Sequence, residues 1–202
     1  AGTLLLTDGS AASLTEIPAA NIVGVCTSGL TKTGGFGKIV QVVSTTKTDV
    51  FSESKAGGAI TGDVTGLTVS ITPTNASNKI LLMPSVSVGH PVSATSFILL
   101  YKDGSVISDA QAPAANDGNG NAMQRATFGA DSGVTGIANI SGNYLDTAGG
   151  TSSITYSIRL GNIRNDATYT MYVNRSGDSD EAASYRLLAR YISTFTAVEI
   201  TP

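Results

Sequence analysis

The sequence predicts an all-β protein: an antiparallel, jelly-roll-like β-sandwich preceded by an extended N-terminal arm. Three observations favour this fold class. Short runs rich in β-branched residues alternate with Gly, Asn, Asp and Pro. Turn signals recur at roughly 8- to 12-residue intervals, which is typical of sandwiches. No amphipathic helical repeat of any length is present, so a βαβ architecture is not expected.

Residues 1–37 are predicted to form the arm. They are small, punctuated by Gly and aperiodic, and they show neither a helix nor a hairpin signal. Apolar residues such as Leu14, Ile17 and Ile22 are too sparse to make a core alone. Other chains or another protein must therefore bury them, unless the segment is simply a disordered tail.

Residues 38–202 are predicted to form the sandwich. Residues 67–72 alternate apolar with hydroxyl side chains, which indicates a half-buried strand. Residues 80–83 and 97–100 are apolar on both faces, which suggests central strands covered on each side or strands at a subunit contact. Asp103-Gly104 predicts a hairpin turn with positive φ. Further strands are expected at 39–44, 153–160, 168–174 and 190–200.

Three segments interrupt this regular pattern. Pro84 lies inside the run 79–89, and it indicates an edge, a bulge or a junction of two shorter strands. Residues 108–122 and 141–152 are rich in Gly, Asn, Asp and Ala, so they are expected to be surface loops. Residues 181–188 could form a helical turn or two.

The composition is unusual for an enzyme of 202 residues. The chain has 23 Gly, no Trp, one His, one Cys and only 13% charged residues, so few side chains could perform catalysis. Hydrophobic residues make up 41% and the mean hydropathy is +0.14, which indicates that some apolar surface lies between subunits. The net charge of -3, with no run of Lys or Arg, disfavours nucleic-acid binding.

The sequence also bears on location. No stretch approaches the roughly 20 apolar residues that span a bilayer, and the start lacks the basic residues of a secretion signal. We therefore expect no membrane insertion. The lone Cys26 cannot make an internal disulfide, which is consistent with synthesis in a reducing cytoplasm.

No catalytic, cofactor or metal site is predicted, and the chain is not expected to be an enzyme. His90 has no carboxylate or Cys at ligand spacing, and Cys26 has no nearby base. Asp178, Asp180 and Glu181 form the densest acidic cluster, but a calcium loop needs further oxygen ligands at defined positions. A solvated loop is favoured. The same carboxylates could in principle act as the acid and base of a glycosidase.

Four stretches, covering most of residues 17–200 in order, carry a family resemblance. The first contains the sequence Ile-Pro-Ala-Ala-Asn-Ile-Val-Gly at residues 17–24, and it is followed by residues 37–43. The second, residues 66–81, reads as a strand, a Thr-Pro turn and a following strand. The third is 97–104, and the fourth combines 144–146, 154–156, 172–176 and 193–200.

These stretches resemble tail-fibre and other virion structural proteins of tailed bacteriophages. The resemblance implies a subunit of a short fibre or appendage in the virion, made in the host cytoplasm and homotrimeric, with a closed dimer as the alternative. It implies contacts with other virion proteins through arm residues 1–37, and attachment of the distal domain to a host-surface carbohydrate or protein. Pro84 departs from the family pattern.

The resemblance leaves the placement on tail or capsid open. Because the arm is far shorter than a long fibre shaft, a head-surface decoration or fibre protein without a receptor role is an alternative. A polysaccharide-cleaving tailspike is a third hypothesis, but such proteins resemble long parallel β-helices. This chain has neither the length nor the repeat period of a β-helix.

Any recognition of a host is expected on loops 108–122, 141–152 and 175–184, because binding residues concentrate on loops held by a rigid scaffold. Tyr144 and Tyr172 offer flat faces for sugars, although packing against the core is the commoner role of such tyrosines.

Overall fold

Two antiparallel β-sheets pack against each other in the computed structural model, which confirms the expected all-β sandwich. The structure describes residues 37–89, 95–111, 124–127, 137–163, 166–177 and 190–202. The strands are β1 (Ile39–Lys47), β2 (Phe51–Ala56), β3 (Thr68–Ile71), β4 (Lys79–Gly89), β5 (Thr95–Lys102), β6 (Ser105–Val106), β7 (Gln124–Thr127), β8 (Ile137–Ser141), β9 (Tyr144–Thr147), β10 (Ile154–Asn162), β11 (Thr168–Val173) and β12 (Ser193–Ile200).

The larger sheet, sheet A, has the strand order β1-β12-β4-β11-β2, and both β8 and β9 also pair with β4. The smaller sheet, sheet B, has the order β3-β10-β5-β6, with β7 also paired to β5. Consecutive strands therefore often lie in different sheets, so most pairings join distant parts of the sequence. No helix in the described part of the chain is long and apolar enough to cross a membrane.

Both sheets contribute to one hydrophobic core. In β3 the alternation of apolar and hydroxyl residues places Val69 and Ile71 inside, as the sequence predicts. Sheet A contributes, among others, Leu82, Val86 and Phe195, all fully buried. The predicted strands near 39–44, 67–72, 79–83, 153–160, 168–174 and 190–200 are all present, with ends shifted by a few residues.

Strand β5 is covered on both faces, as its continuous apolar run predicts. Ile98 faces the core, whereas Phe97 and Leu99 point to the opposite face of sheet B and are also buried. The ring of Phe97 lies directly over Gly161 of β10, where any β-carbon would overlap it. A glycine at this position thus lets an aromatic ring pack flat on the sheet.

Pro84 lies within one continuous central strand, so neither an edge, a bulge nor a junction of two shorter strands describes it. Its cross-strand partner on β12 is Phe195. On the other side, β9 pairs with β4 up to Leu82, and β8 pairs from Ser85 onward. The carbonyl oxygen of Pro84 accepts a hydrogen bond from Gly142 N in the turn between β8 and β9. The missing proline N–H faces this same gap, where no ladder hydrogen bond is lost.

The Asp103-Gly104 turn between β5 and β6 confirms the predicted hairpin, with φ of 48° and 79°. The Asp103 carboxylate also accepts a hydrogen bond from Thr155 N at 2.9 Å. Two positive φ values in succession are typical of the type I′ turn, which matches the twist of the flanking strands.

The expected loop 141–152 is partly wrong, because residues 144–147 form β9 against Lys79–Leu82. The sequence signal for this strand is weak, because it is only four residues long and Gly and Asn flank it. Strands β2, β7 and β8 were likewise not predicted from the sequence. The proposed helical turn at 181–188 and residues 1–36 of the arm lie outside the described residues, so the domain boundary near residue 37 stays a prediction.

Gly89→Ala is expected to lower the free energy of unfolding by about 1–3 kcal/mol, because it overpacks the end of β4. A β-carbon on Gly89 would overlap the backbone carbonyl of Arg175. Urea unfolding of both proteins measures the difference. Gly150→Ala is the control, since nothing lies within 4 Å of its β-carbon position. Equal losses in the two variants would contradict the packing argument.

Candidate assembly surface

The outer face of sheet A carries an apolar row that crosses four strands. Val42 of β1 is the cross-strand partner of Val198 of β12, which is the partner of Leu81 of β4. Leu81 in turn is the partner of Leu145 of β9. Cross-strand partners on one face of a sheet have adjacent side chains, so these four residues form a continuous apolar strip.

A β-bulge in β1 extends this strip by a second row. Ile39 pairs with Ile200 and Gln41 pairs with Glu199, so one extra residue lies between the two pairs. Without the bulge, Ile39 and Val42 would lie on opposite faces, because side chains alternate along a strand. With it, both face outward. We call the resulting surface the apolar band; it consists of Ile39, Val42, Leu81, Leu145, Val198 and Ile200.

Much of the apolar band is accessible in the single chain. Ile39 is 61% exposed, Val42 57% and Leu145 51%, whereas Val198, in the middle, is buried by its neighbours. Isolated exposed apolar residues are common on protein surfaces, but contiguous ones mark contacts with partners or ligands. The band therefore is the strongest candidate for a functional surface among the described residues.

Apart from Met83, the cross-strand partner of Thr196, the border of the apolar band is polar. On one side, the hydroxyl groups of Ser44 and Thr196 are hydrogen bonded at 2.8 Å. On the other, Lys79 Nζ donates a hydrogen bond to Thr147 Oγ1 at 2.7 Å. An apolar centre with a hydrogen-bonding rim is the usual anatomy of a protein–protein interface.

Asp146 fixes the orientation of β9 and thereby of Leu145. Its carboxylate points inward and accepts hydrogen bonds from Tyr156 Oη at 2.6 Å and Lys102 Nζ at 2.7 Å. Both donors belong to sheet B. Since side chains alternate along a strand, the inward Asp146 holds the neighbouring Leu145 outward.

Glu199 fixes β1 and β12 from the core side. The residue is fully buried, and its carboxylate accepts hydrogen bonds from Gln41 Nε2 at 2.6 Å, Asn78 Nδ2 at 2.5 Å, and the backbone N and Oγ1 of Thr74 at 2.7 and 2.8 Å. Burial alone would raise the pKa of Glu199, but the hydrogen bonds outweigh it and hold the pKa at about 2. The carboxylate thus links β1 and β12 to Thr74, which directly follows the predicted turn at Thr72-Pro73.

The residues that the sequence singled out do not come together into a site. His90, Cys26, Asp178, Asp180 and Glu181 all lie outside the described residues. Among the residues that are described, no three His, Cys, Asp or Glu side chains are grouped as a metal site would require. The predictions of no catalytic, cofactor or metal site therefore stay predictions.

The two candidate tyrosines are both partly covered. Tyr144 is half-buried and packs against the hydrophobic core. The guanidinium of Arg175 lies 4.8 Å from the centre of the Tyr172 ring and covers part of that face.

Residues 112–122 and 178–184 of the expected recognition loops lie outside the described part of the chain. The sequence analysis did not predict the apolar band. Its only signal in the sequence is that residues 39–43 and 197–200 are rich in apolar side chains, some of which can face outward.

No protein-family model matches the chain, and no curated protein matches it. A structure of the Gt strain of infectious bursal disease virus is 13% identical with a TM-score of 0.37, over 92% of this chain and 43% of that one. A Gx strain structure is 15% identical with a TM-score of 0.35, over 91% and 44%. A structure of the VP2 subviral particle of this virus is 13% identical with a TM-score of 0.32, over 79% of this chain and 40% of that one.

The chain thus spans less than half the length of these viral proteins. Similarity of this degree carries no argument about function.

Proposed function

We propose that the protein is a non-enzymatic structural subunit that assembles with identical copies through the apolar band. The main supporting observation is the continuous apolar row formed by Val42, Val198, Leu81 and Leu145, in which Val42 is 57% and Leu145 51% exposed. Within this class, the family resemblance of the sequence supports a subunit of a short fibre or appendage of a tailed-phage particle.

The chemistry of the apolar band supports a protein partner. No band residue carries a charge, and Lys79 lies only at its border. Nucleic acids are bound mainly through basic side chains, which the band lacks. Burial of apolar area, worth about 25 cal/mol per Å², is then the main favourable term available there. An identical copy is the simplest partner, because most protein assemblies are symmetric homo-oligomers.

The start of the described sandwich supports the same role. Lys38, the first residue after the arm, donates its backbone N–H to Thr201 Oγ1 at 2.9 Å and accepts from Thr201 N at 3.0 Å. The described part of the sandwich therefore begins next to Ile39, at one end of the apolar band. In the proposed homotrimer, the arms contact neighbouring subunits or other virion proteins, which bury Leu14, Ile17 and Ile22.

Host attachment is the finer part of this proposal. It assigns recognition of a surface carbohydrate or protein to loops 108–122, 141–152 and 175–184, of which 144–147 is a strand.

Incubation of the purified protein with host polysaccharide should release no reducing ends. If the protein does release reducing ends, and Asp178→Asn or Asp180→Asn abolishes the release, the protein is a tailspike enzyme and the proposal is wrong.

Removal of residues 1–37 is expected to leave the β-domain folded but to lower its incorporation into the particle. The sandwich has its own core, whereas the arm supplies the contacts to neighbours. Circular dichroism checks the fold, and quantification of the protein in purified particles checks incorporation. Image reconstruction of the intact particle then locates the subunit on tail or head. Unchanged incorporation would show that the arm has no role in attachment.

A further inference from the structure

Two buried polar side chains meet on the core face of sheet B. Ser96 of β5 and Asn162 of β10 are direct cross-strand partners, and each is 1% exposed. They continue the inward-facing rows that contain Ile98 on β5 and Leu160 on β10, since side chains alternate along each strand. The pair thus lies at the end of the hydrophobic core, where β5 begins and β10 ends.

These two side chains have three polar atoms without a hydrogen-bond partner in the described part of the chain: Ser96 Oγ, Asn162 Nδ2 and Asn162 Oδ1. Other buried polar side chains are well satisfied. Asn174, for example, donates from Nδ2 to the carbonyls of Lys47 and Asp49 and accepts at Oδ1 from Ser193. Burial of unsatisfied polar atoms is strongly unfavourable, so a hydrogen-bonding molecule is expected at the Ser96–Asn162 pair.

The donor and acceptor pattern defines the chemistry of that molecule. Asn162 offers one amide donor group and one carbonyl acceptor, and the Ser96 hydroxyl can both donate and accept. A cation would meet the Asn162 amide hydrogens, and an anion would meet the carbonyl oxygen. The molecule must therefore be neutral, and it must both donate and accept hydrogen bonds.

Size decides among neutral molecules. Ser96 and Asn162 are each only 1% exposed, and the neighbouring core residues Ile98 and Leu160 are fully buried. Because protein interiors are close-packed, only a very small molecule is expected between side chains buried to this extent. We propose that Ser96 and Asn162 form an internal hydration site, in which an ordered water molecule bridges β5 and β10.

Nuclear magnetic resonance of the isotope-labelled full chain tests this directly. The Asn162 side-chain amide protons should show cross-relaxation with a water molecule that resides longer than the nanosecond range. Asn174 is the matched control in the same spectrum, because protein carbonyls take up its amide group and no water signal is expected there. An Asn162 amide without a water signal, like that of Asn174, would overturn the hydration site.

The sign of a stability change provides the second test. If water satisfies the Ser96 hydroxyl, Ser96→Ala removes a hydrogen bond and should lower the urea midpoint of unfolding. If the hydroxyl is truly unsatisfied, the same change should raise the midpoint. Ser157→Ala is the control, since the buried Ser157 hydroxyl donates to Asp63 at 2.9 Å and its loss should lower the midpoint. A raised midpoint for Ser96→Ala alone would refute the proposal.

Discussion

Val42→Asp is expected to convert the assembled protein into a monomer of 20.5 kDa. Val42 is 57% exposed in the single chain, so the aspartate stays solvated there and the fold is retained. In an assembly through the apolar band, the same carboxylate would be buried without a partner. Such burial costs several kcal/mol, and about 4 kcal/mol already weakens an association roughly a thousandfold. Analytical ultracentrifugation measures the change.

Thr46→Asp is the matched control for this variant. Thr46 lies on the same strand and the same outward face as Val42, and it is also exposed, but it pairs with Thr194 rather than with the apolar band. This variant should keep the assembly of the parent protein. Equal loss of assembly in the two variants would indicate a general effect of charge on sheet A. Persistence of the assembly in Val42→Asp would exclude the band as the interface.

Acid is expected to destabilise the sandwich through Glu199. The pKa of its carboxyl falls from 4.5 for the ordinary group to about 2 in the folded protein. Since the folded state has the lower pKa, the stabilisation is complete well above pH 4.5. It decreases as the pH falls below 4.5, and it is lost once the pH has fallen through about 2. A shift of this size corresponds to roughly 3 kcal/mol.

Glu199→Gln tests this assignment, because glutamine keeps the shape of the side chain but does not titrate. The free energy of unfolding, measured by urea titration from pH 5 to 2, should decrease less steeply in the variant than in the parent protein. Glu199→Leu should cost more at neutral pH, by about 1–3 kcal/mol, because the buried Asn78 amide loses its carboxylate acceptor. Parallel pH profiles for parent and Glu199→Gln would contradict the assignment.

The sequence was a good guide to the fold where local chemistry decides the structure. Period-two alternation located β3, and the Asp103-Gly104 pair located a turn with the required positive φ. Strand β9 escaped prediction because Gly and Asn surround it and only four residues alternate. Pro84 was misinterpreted because its tolerance depends on a gap between β8 and β9, which is a tertiary feature.

The apolar band could not be derived from local pattern, because it depends on register. Val42, Leu81, Leu145 and Val198 are far apart in the sequence, and each belongs to a different strand. The bulge near Val40 further reverses the face expected for Ile39. The composition predicts that apolar surface is shared between subunits, and this stays a prediction. Only strand pairing shows which residues form a contiguous surface.

The pairing of β1 with β12 has a consequence for biosynthesis. Lys38 and Thr201, which are hydrogen bonded at the end of this ladder, are 163 residues apart. At a ribosomal rate of roughly 5–20 residues per second, β1 waits about 8–33 seconds for its partner strand. During that time its apolar side chains have no sheet to join, and strand pairings of such long range are slow to form. Nascent chains should therefore depend on chaperones or on low expression temperature until β12 has been synthesised.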